Sequence, residues 1–245
     1  MTRIIFFLYG LIAYTIFFGS FLYAIGFMGN FIVPKSLDSG VAEGTVYQAL
    51  FINMLLLVIF AIQHSVMARP SFKKWWTKIV PQAIERSTYV LFSSLLLILL
   101  FILWQPIGGI IWNVQDSIWQ NIIYSLFALG WLLVLMSTFL INHFDLFGLR
   151  QVYFYLLGKE YTEIGFVSPG LYKYTRHPLY LGWLLAFWAT PTMTIAHLVF
   201  AIVTTVYILI AIQFEERDLM NILGKSYADY RQKVPMLIPF FKKIF

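Results

Sequence analysis

The chain has 245 residues, 60% of them hydrophobic and 11% charged, against roughly 45–50% and 25% in an ordinary soluble domain, which argues against a water-soluble globule. It contains no cysteine, so disulfides, thiolate metal sites, iron–sulfur clusters and a cysteine nucleophile are excluded, and no metal is expected. The 17 Lys and Arg outnumber the 11 Asp and Glu, but they sit beside apolar runs, where they read as membrane-surface anchors and not as a nucleic-acid face.

Backbone in hydrocarbon must satisfy its own hydrogen bonds, so apolar runs without a barrel's alternation read as helices of about 20 residues. Four such runs stand out: Ile4 to Phe27, Tyr47 to Met67, Tyr89 to Trp104 and Ile122 to Ile141. The first is longer than a signal-peptide core and no small-residue cleavage site follows it, so it is expected to remain in the mature protein. Between Arg150 and Arg176, the stretch Tyr153-Phe154-Tyr155-Leu156-Leu157 is too short to span and is expected in the interface. Leu179 to Phe214 is apolar over about 36 residues and broken by Pro191-Thr192-Met193-Thr194. It reads as a helical hairpin, Leu179 to Thr190 and Ile195 to Phe214, or as one kinked helix. Charge favours the hairpin: with a cytoplasmic N-terminus it leaves Lys35 as the one basic residue outside, as the positive-inside rule prefers. The tail from Pro235 to Lys243 is apolar and then cationic, an expected interfacial anchor. The expected architecture is an all-α polytopic membrane helix bundle forming one domain, 1–245. Four transmembrane helices make its N-terminal part, 1–145, and a ligand-binding part, 146–245, carries the hairpin at 179–214.

Ionisable residues near membrane depth are expensive and therefore candidates for function. His64, His143 and His177 fall near the inner ends of the second, fourth and fifth helices, and Glu215 and Glu216 close the sixth. His197, near the opposite surface, reads as an interfacial residue without chemistry. In Arg176-His177-Pro178-Leu179-Tyr180-Leu181-Gly182, Pro178 suits the first turn of a helix. Arg176 and His177 then either anchor and cap that helix or present positive charge and N–H groups to an anion. Two carboxylates at a helix C-terminus oppose the macrodipole, so Glu215 and Glu216 require a compensating partner. If the hairpin forms, they face the Arg176-His177 end, and a zwitterionic ligand fits between. His143 and Asp145 are two apart and point differently on a regular helix, so they share a substrate only at a frayed end or turn; otherwise they are ordinary helix-end residues. Gln63-His64-Ser65 with Arg69, and Glu85-Arg86, read as structural pairs or weaker candidates. Three histidines on one membrane side also admit a b-type haem or quinone protein, and a scaffold or transporter without catalysis is a further reading.

Gly170-Leu171-Tyr172, then Arg176-His177-Pro178-Leu179-Tyr180-Leu181-Gly182, Glu215-Glu216 and Gly224-Lys225-Ser226-Tyr227-Ala228-Asp229-Tyr230 follow in an order that resembles the integral-membrane methyltransferases related to isoprenylcysteine carboxyl methyltransferase. The stretches Leu22 to Phe27, Val33 to Gly40, Gln63 to Pro70, His143 to Gly148 and Val234 to Pro239 are similar to a bacterial branch of that family acting on small volatile thiols. The resemblance implies S-adenosylmethionine as methyl donor, held by Tyr172, Arg176, His177, Pro178, Leu179, Tyr180, Glu215 and Glu216. It implies methanethiol as acceptor, giving dimethyl sulfide, with hydrogen sulfide as a further acceptor, in a bacterial inner membrane with the active site cytoplasmic. No Gly-x-Gly-x-x-Gly follows a strand, so a Rossmann-type methyltransferase is excluded. An alkyl thiol with a pKa near 8.5 is only about 3% ionised at pH 7, so a base is required. His143, oriented or charged by Asp145, is the expected base and His64 the second choice. A carboxyl acceptor, the alternative within the family, would require a lateral opening to lipid.

Overall fold

The computed structural model describes residues 1–40, 44–162, 165 and 167–239. The helices run in chain order as α1 (Thr2–Gly29), α2 (Val46–Ala68), α3 (Pro70–Trp76), α4 (Gln82–Leu103), α5 (Ser117–Ile141), α6 (His143–Leu146), α7 (Leu149–Leu157), α8 (Pro178–Trp188), α9 (Ile195–Leu223) and α10 (Lys225–Lys233). Two short strands, β1 (Ile110–Asn113) and β2 (Thr192–Thr194), pair antiparallel. Five helices, α1, α2, α4, α5 and α9, have the length and apolar composition of membrane spans. Ile12, Phe51, Ile102 and Leu132 point outward and exposed from them, an arrangement that suits lipid and would be an aggregation surface in water. The chain is a polytopic helical membrane protein.

Each predicted run is a helix; α4 and α9 extend well past the apolar residues into polar ones, while α8 ends at Trp188, short of the expected Thr190. α4 begins at Gln82, not Tyr89, so Glu85 and Arg86 lie inside it. α9 continues to Leu223, past the expected end at Phe214, so Glu215 and Glu216 stand within the helix and do not close it. Gly224, at φ 55°, supplies the stop. The expectation of a carboxylate pair at a helix C-terminus is thereby corrected: what offsets the two charges is side-chain partners, described below.

The chain forms two compact units, Met1–Gly109 with Asn142–Glu163, and Ile110–Ile141 with Ile164–Phe245. In the first, α1, α2 and α4 pack together with α7 against α1 and α4. Fully buried Asn53 of α2 donates to Gln105 O and accepts from Gln105 N, both at 2.8 Å, which satisfies the end of α4. Gly148 joins α6 to α7 at φ +87°, and a Cβ there would stand 2.7 Å from Ser87 N, so only glycine lets this turn sit against α4. Arg86 Nε donates to Leu146 O at 2.9 Å and fastens the same turn. The aromatic stretch at 153–157 is the latter half of α7; Tyr153 and Leu157 are exposed, while the preceding Val152 is buried.

In the second unit α8 lies along α5. Gly130 and Gly182 face each other: a Cβ on Gly182 would stand 2.7 Å from Gly130 O and 2.8 Å from Val134 N. Close backbone approach through small residues is the usual way helices associate where lipid removes the hydrophobic driving force. Trp131 and Trp183 flank the contact edge-to-face, centroids 5.1 Å apart. α8 and α9 form an antiparallel hairpin. Near its turn His197 bonds Phe187 O at 2.9 Å, and Trp188 Nε1 donates to Thr205 Oγ1 at 2.9 Å. Thr194 caps α9 by accepting from His197 N. His197, expected at an interface, is buried and holds the turn. The β-ribbon at 110–113 and 192–194 braces that end, with Trp112 Nε1 donating to Thr190 O at 3.1 Å. Lys242 and Lys243, the cationic end of the expected tail anchor, lie outside the described residues.

Gly182→Ala must push rigid backbone apart and is expected to destabilise the detergent-solubilised protein by about 1–3 kcal/mol. Gly19→Ala on α1, where nothing lies within 4 Å, is expected to be neutral or stabilising by up to about 1 kcal/mol. Thermal unfolding of the two variants side by side checks the contrast; equal losses would contradict the close-approach account.

Candidate active site

The open end of the α8–α9 hairpin brings together Arg176, His177, Glu215, Glu216 and Arg231. Pro178 opens α8 and needs no N–H partner there, and no side chain caps the helix. The N–H groups of Leu179 and Tyr180 therefore have no acceptor within the helix and carry its positive end. One residue before, Arg176 and His177 turn toward α9. Arg176 Nε donates to Glu216 Oε1 at 2.7 Å, and His177 Nε2 meets the same oxygen at 3.1 Å. Arg231 Nε of α10 reaches Glu216 Oε2 at 3.1 Å. Arg176 and Glu216 are almost wholly buried, with side chains 6% and 4% exposed, so both charges are out of water and each neutralises the other.

The segment after α10 is sewn into this centre. Arg176 Nη1 donates to Arg231 O at 3.0 Å and to Val234 O at 2.7 Å. Arg176 N donates to Pro235 O at 2.9 Å, and His177 N to Met236 O at 3.1 Å. Thr175 Oγ1 also donates to Met236 O, at 3.0 Å. Beside the centre, Tyr180 OH donates to Glu215 Oε2 at 2.9 Å, and Tyr230 OH to Tyr172 O at 2.6 Å. Burial pushes the Tyr230 phenol up to about 12. The Tyr172 phenol is raised by burial and by nearby Glu215. Both phenols therefore stay protonated donors at neutral pH.

Of the expected donor-site residues, Tyr172, Arg176, His177, Pro178, Leu179, Tyr180, Glu215 and Glu216 all lie at this hairpin end, but they are not equivalent. Glu216 is spent on Arg176, His177 and Arg231. Half-buried Glu215 takes Tyr180 through Oε2, and Arg176 Nη2 is uncommitted among the described residues. Arg231 was not among the expected site residues; its signal in the sequence is only its place directly after Tyr230 on a short polar helix.

The other candidates lie in the first unit. His143 opens the four-residue α6, is 4% exposed, and its Nε2 meets Tyr14 OH of α1 at 2.8 Å. Phe17, Phe144 and Phe147 crowd this pair, with His143 and Phe147 ring centroids 4.8 Å apart. Burial holds the His143 imidazolium below its ordinary range. Asp145 is directed elsewhere: its Oδ1 accepts from Arg150 Nη1 at 3.0 Å and from Tyr161 OH at 2.9 Å. Burial, and after it that bond, push the Tyr161 phenol up to about 12. His143 is thus bonded to Tyr14 and Asp145 to Arg150 and Tyr161, on a helical turn where residues two apart point differently. His64 bonds Tyr89 OH at 3.0 Å and Ser93 Oγ at 3.2 Å across α2 and α4. These bonds engage ring nitrogens that a haem iron would need. Tyr14 went unread in the sequence because one tyrosine among aromatic residues of an apolar helix carries no motif.

A sequence profile of the phospholipid methyltransferase family matches residues 119–226, the span that holds α5 and the whole hairpin. The methanethiol S-methyltransferase of Crocosphaera subtropica is 60% identical over 99% of this chain and 95% of its own. The Mycobacterium tuberculosis protein of the same name is 53% identical over 98% of each. Nurim of Xenopus laevis is 31% identical over 76% of this chain and 68% of its own. No solved structure matches the chain. Near-complete coverage at such identity, on a membrane bundle whose charged hairpin end falls inside the methyltransferase profile, places the chain in the methanethiol S-methyltransferase family of integral-membrane methyltransferases.

Proposed function

We propose that the chain transfers the methyl group of S-adenosylmethionine to methanethiol, releasing dimethyl sulfide, with hydrogen sulfide as a further acceptor. The observation that carries this reading is the hairpin end, where α8 starts without a side-chain cap, Arg176 is fixed by Glu216, and Tyr180 of the first turn of α8 holds the carboxylate of Glu215. The donor brings a methyl group on a sulfonium together with a carboxylate and an ammonium, and the residues fit that set. The N–H groups of Leu179 and Tyr180 and Arg176 Nη2 suit the carboxylate. Glu215, steadied by Tyr180, suits the ammonium or a ribose hydroxyl. Glu216 acts on the other residues: by holding Arg176 and His177 it fixes the positive side of the site. His143 is the base for the thiol, kept neutral by its burial. The orientation belongs to the same reading: the positive-inside rule puts the N-terminus and this chemistry on the cytoplasmic side of a bacterial inner membrane.

Purified protein in nanodiscs, given methyl-labelled S-adenosylmethionine and a panel of thiols and carboxylates, is expected to release labelled dimethyl sulfide from methanethiol. Donor binding without any labelled thioether would remove the thiol as acceptor, and no donor binding by calorimetry would remove the reading altogether. Glu215→Gln is expected to weaken donor binding about tenfold or more while the fold survives. Glu216→Ala leaves Arg176 buried without its counter-charge, and the loss expected is structural, about 3–5 kcal/mol, visible as a lowered Tm. The acid limb of kcat should lie below pH 6.5, the ordinary histidine value. With the His143 pKa lowered in the fold, the active neutral form persists as pH falls past that value and is lost only further down. His143→Ala should remove the limb and lower kcat by about 10² to 10⁴ with donor affinity retained; an unmoved limb would exclude His143.

A further inference from the structure

We propose that Tyr14 and His143 act as a two-member proton relay in which the Tyr14 hydroxyl, and not the imidazole, meets the acceptor thiol. This rests on the thiol reading above and assigns the atom that takes the proton. Tyr14 lies well inside α1, a membrane span, and its hydroxyl stands 2.8 Å from His143 Nε2, a distance for direct proton transfer. His143 is itself 4% exposed, and its Nε2 is already occupied by Tyr14. The phenol, half-buried and facing Phe17, Phe18, Phe144 and Phe147 with ring centroids 6.0 to 6.4 Å away, is the polar atom that an apolar ligand among these rings would meet.

The surroundings suit a small thiol and little else. Aromatic faces attract sulfur and offer nothing to a carboxylate or a hydrated substrate. A neutral volatile thiol is soluble in hydrocarbon and can reach a tyrosine on a membrane-spanning helix, whereas its thiolate cannot, so the proton must leave on the protein. The step balances as follows. The thiol S–H bond breaks and its proton passes to Tyr14 Oη as the Tyr14 proton passes to His143 Nε2. The thiol sulfur uses the freed pair to bond the methyl carbon, and the donor's sulfur keeps the pair of the C–S bond that breaks. One positive charge enters on the sulfonium and one leaves on the imidazolium.

The charged groups on the neighbouring elements are committed elsewhere, so they do not substitute for the pair. Arg86 of α4 holds Leu146 O, and on the α6–α7 side Asp145 is bound to Arg150 and Tyr161. Tyr9 on α1 donates to Thr88.

The test compares Tyr14→Phe, which keeps the ring and deletes only the hydroxyl, with wild type on methanethiol and on an acidic thiol such as trifluoroethanethiol. On methanethiol at pH 7 the variant's kcat should fall about 10²-fold. The deficit should shrink to a few-fold with the acidic thiol, which gives up its proton inside the site to a weaker acceptor. His143→Ala should show the same pattern, and the double variant should be no worse than the more impaired single one. A deficit equal for both thiols, or additive losses, overturns the relay. An independent readout needs no turnover: in donor-free protein with ¹³C-labelled histidine, Tyr14→Phe should shift the titration of the His143 imidazole, and an unmoved titration also overturns the relay. If wild type methylates neither thiol, the acceptor reading fails, and the imidazole titration still decides the pair.

Discussion

A carboxylate removed from water dictates how the open end of the α8–α9 hairpin is built. Glu216 is buried in apolar surroundings, and its two oxygens receive Arg176, His177 and Arg231. Taking either Arg176 or Glu216 out of water costs several kcal/mol, offset only if partners and hydrogen bonds are complete. They are complete here because the chain beyond α10 lends its carbonyls: Arg231 and Val234 to the guanidinium, Pro235 to the Arg176 N–H. The C-terminal segment is therefore a structural part of the site. Its path, the closure of the hairpin and the orientation of Arg176 are one problem with one solution.

The hairpin has its own constraint. α8 has 11 residues, about 16 Å of helix, or half the hydrocarbon thickness. A helix that short is not an independent span. It is held by glycine-to-glycine approach along α5 and by paired contacts with α9 from the buried turn at His197 to the ion pairs at Arg176. The residues that meet the acidic end of the much longer α9 are those preceding the short arm, Arg176 and His177, which reach Glu216 across the hairpin.

The helices were legible in the sequence because hydrocarbon imposes one rule on every span, and four apolar runs obeyed it. The doubling back of 179–214 was legible too, from charge distribution alone, since one crossing would have put the tail's cations on the wrong side. What the sequence hid is where polar residues extend an apolar helix. Glu215 and Glu216 looked terminal because hydropathy stops at Phe214, yet the helix runs to Leu223, with Arg176, His177 and Arg231 on Glu216 and Tyr180 on Glu215. The β-ribbon was hidden for a similar reason: four residues near an interface carry no period that separates them from a loop. At the site, Arg176, His177 and the two glutamates were readable as charges near membrane depth. Arg231 and Tyr14 were not, for their importance comes from what folding places beside them.

Methyl transfer from a sulfonium to a thiol makes two opposite demands, and they explain why polar and apolar clusters coexist in one membrane chain. The proposed donor is a charged, water-loving molecule, and a site for it needs fixed charges whose own desolvation has already been met, the part proposed for the Glu216 centre. The acceptor is a neutral, grease-soluble molecule with almost no handle for binding, and recognition by hydrogen bonds is unavailable to it. What distinguishes it chemically is one weakly acidic proton on a polarizable atom. The hydrogen-bonded pair Tyr14 and His143, set among phenylalanine rings, is proposed to answer to those two properties. Burial suits the proposed role of the pair, because it favours the neutral imidazole, the form able to take a proton. On this view the membrane is a working part of the enzyme, because it delivers the acceptor in the protonated form that the relay requires.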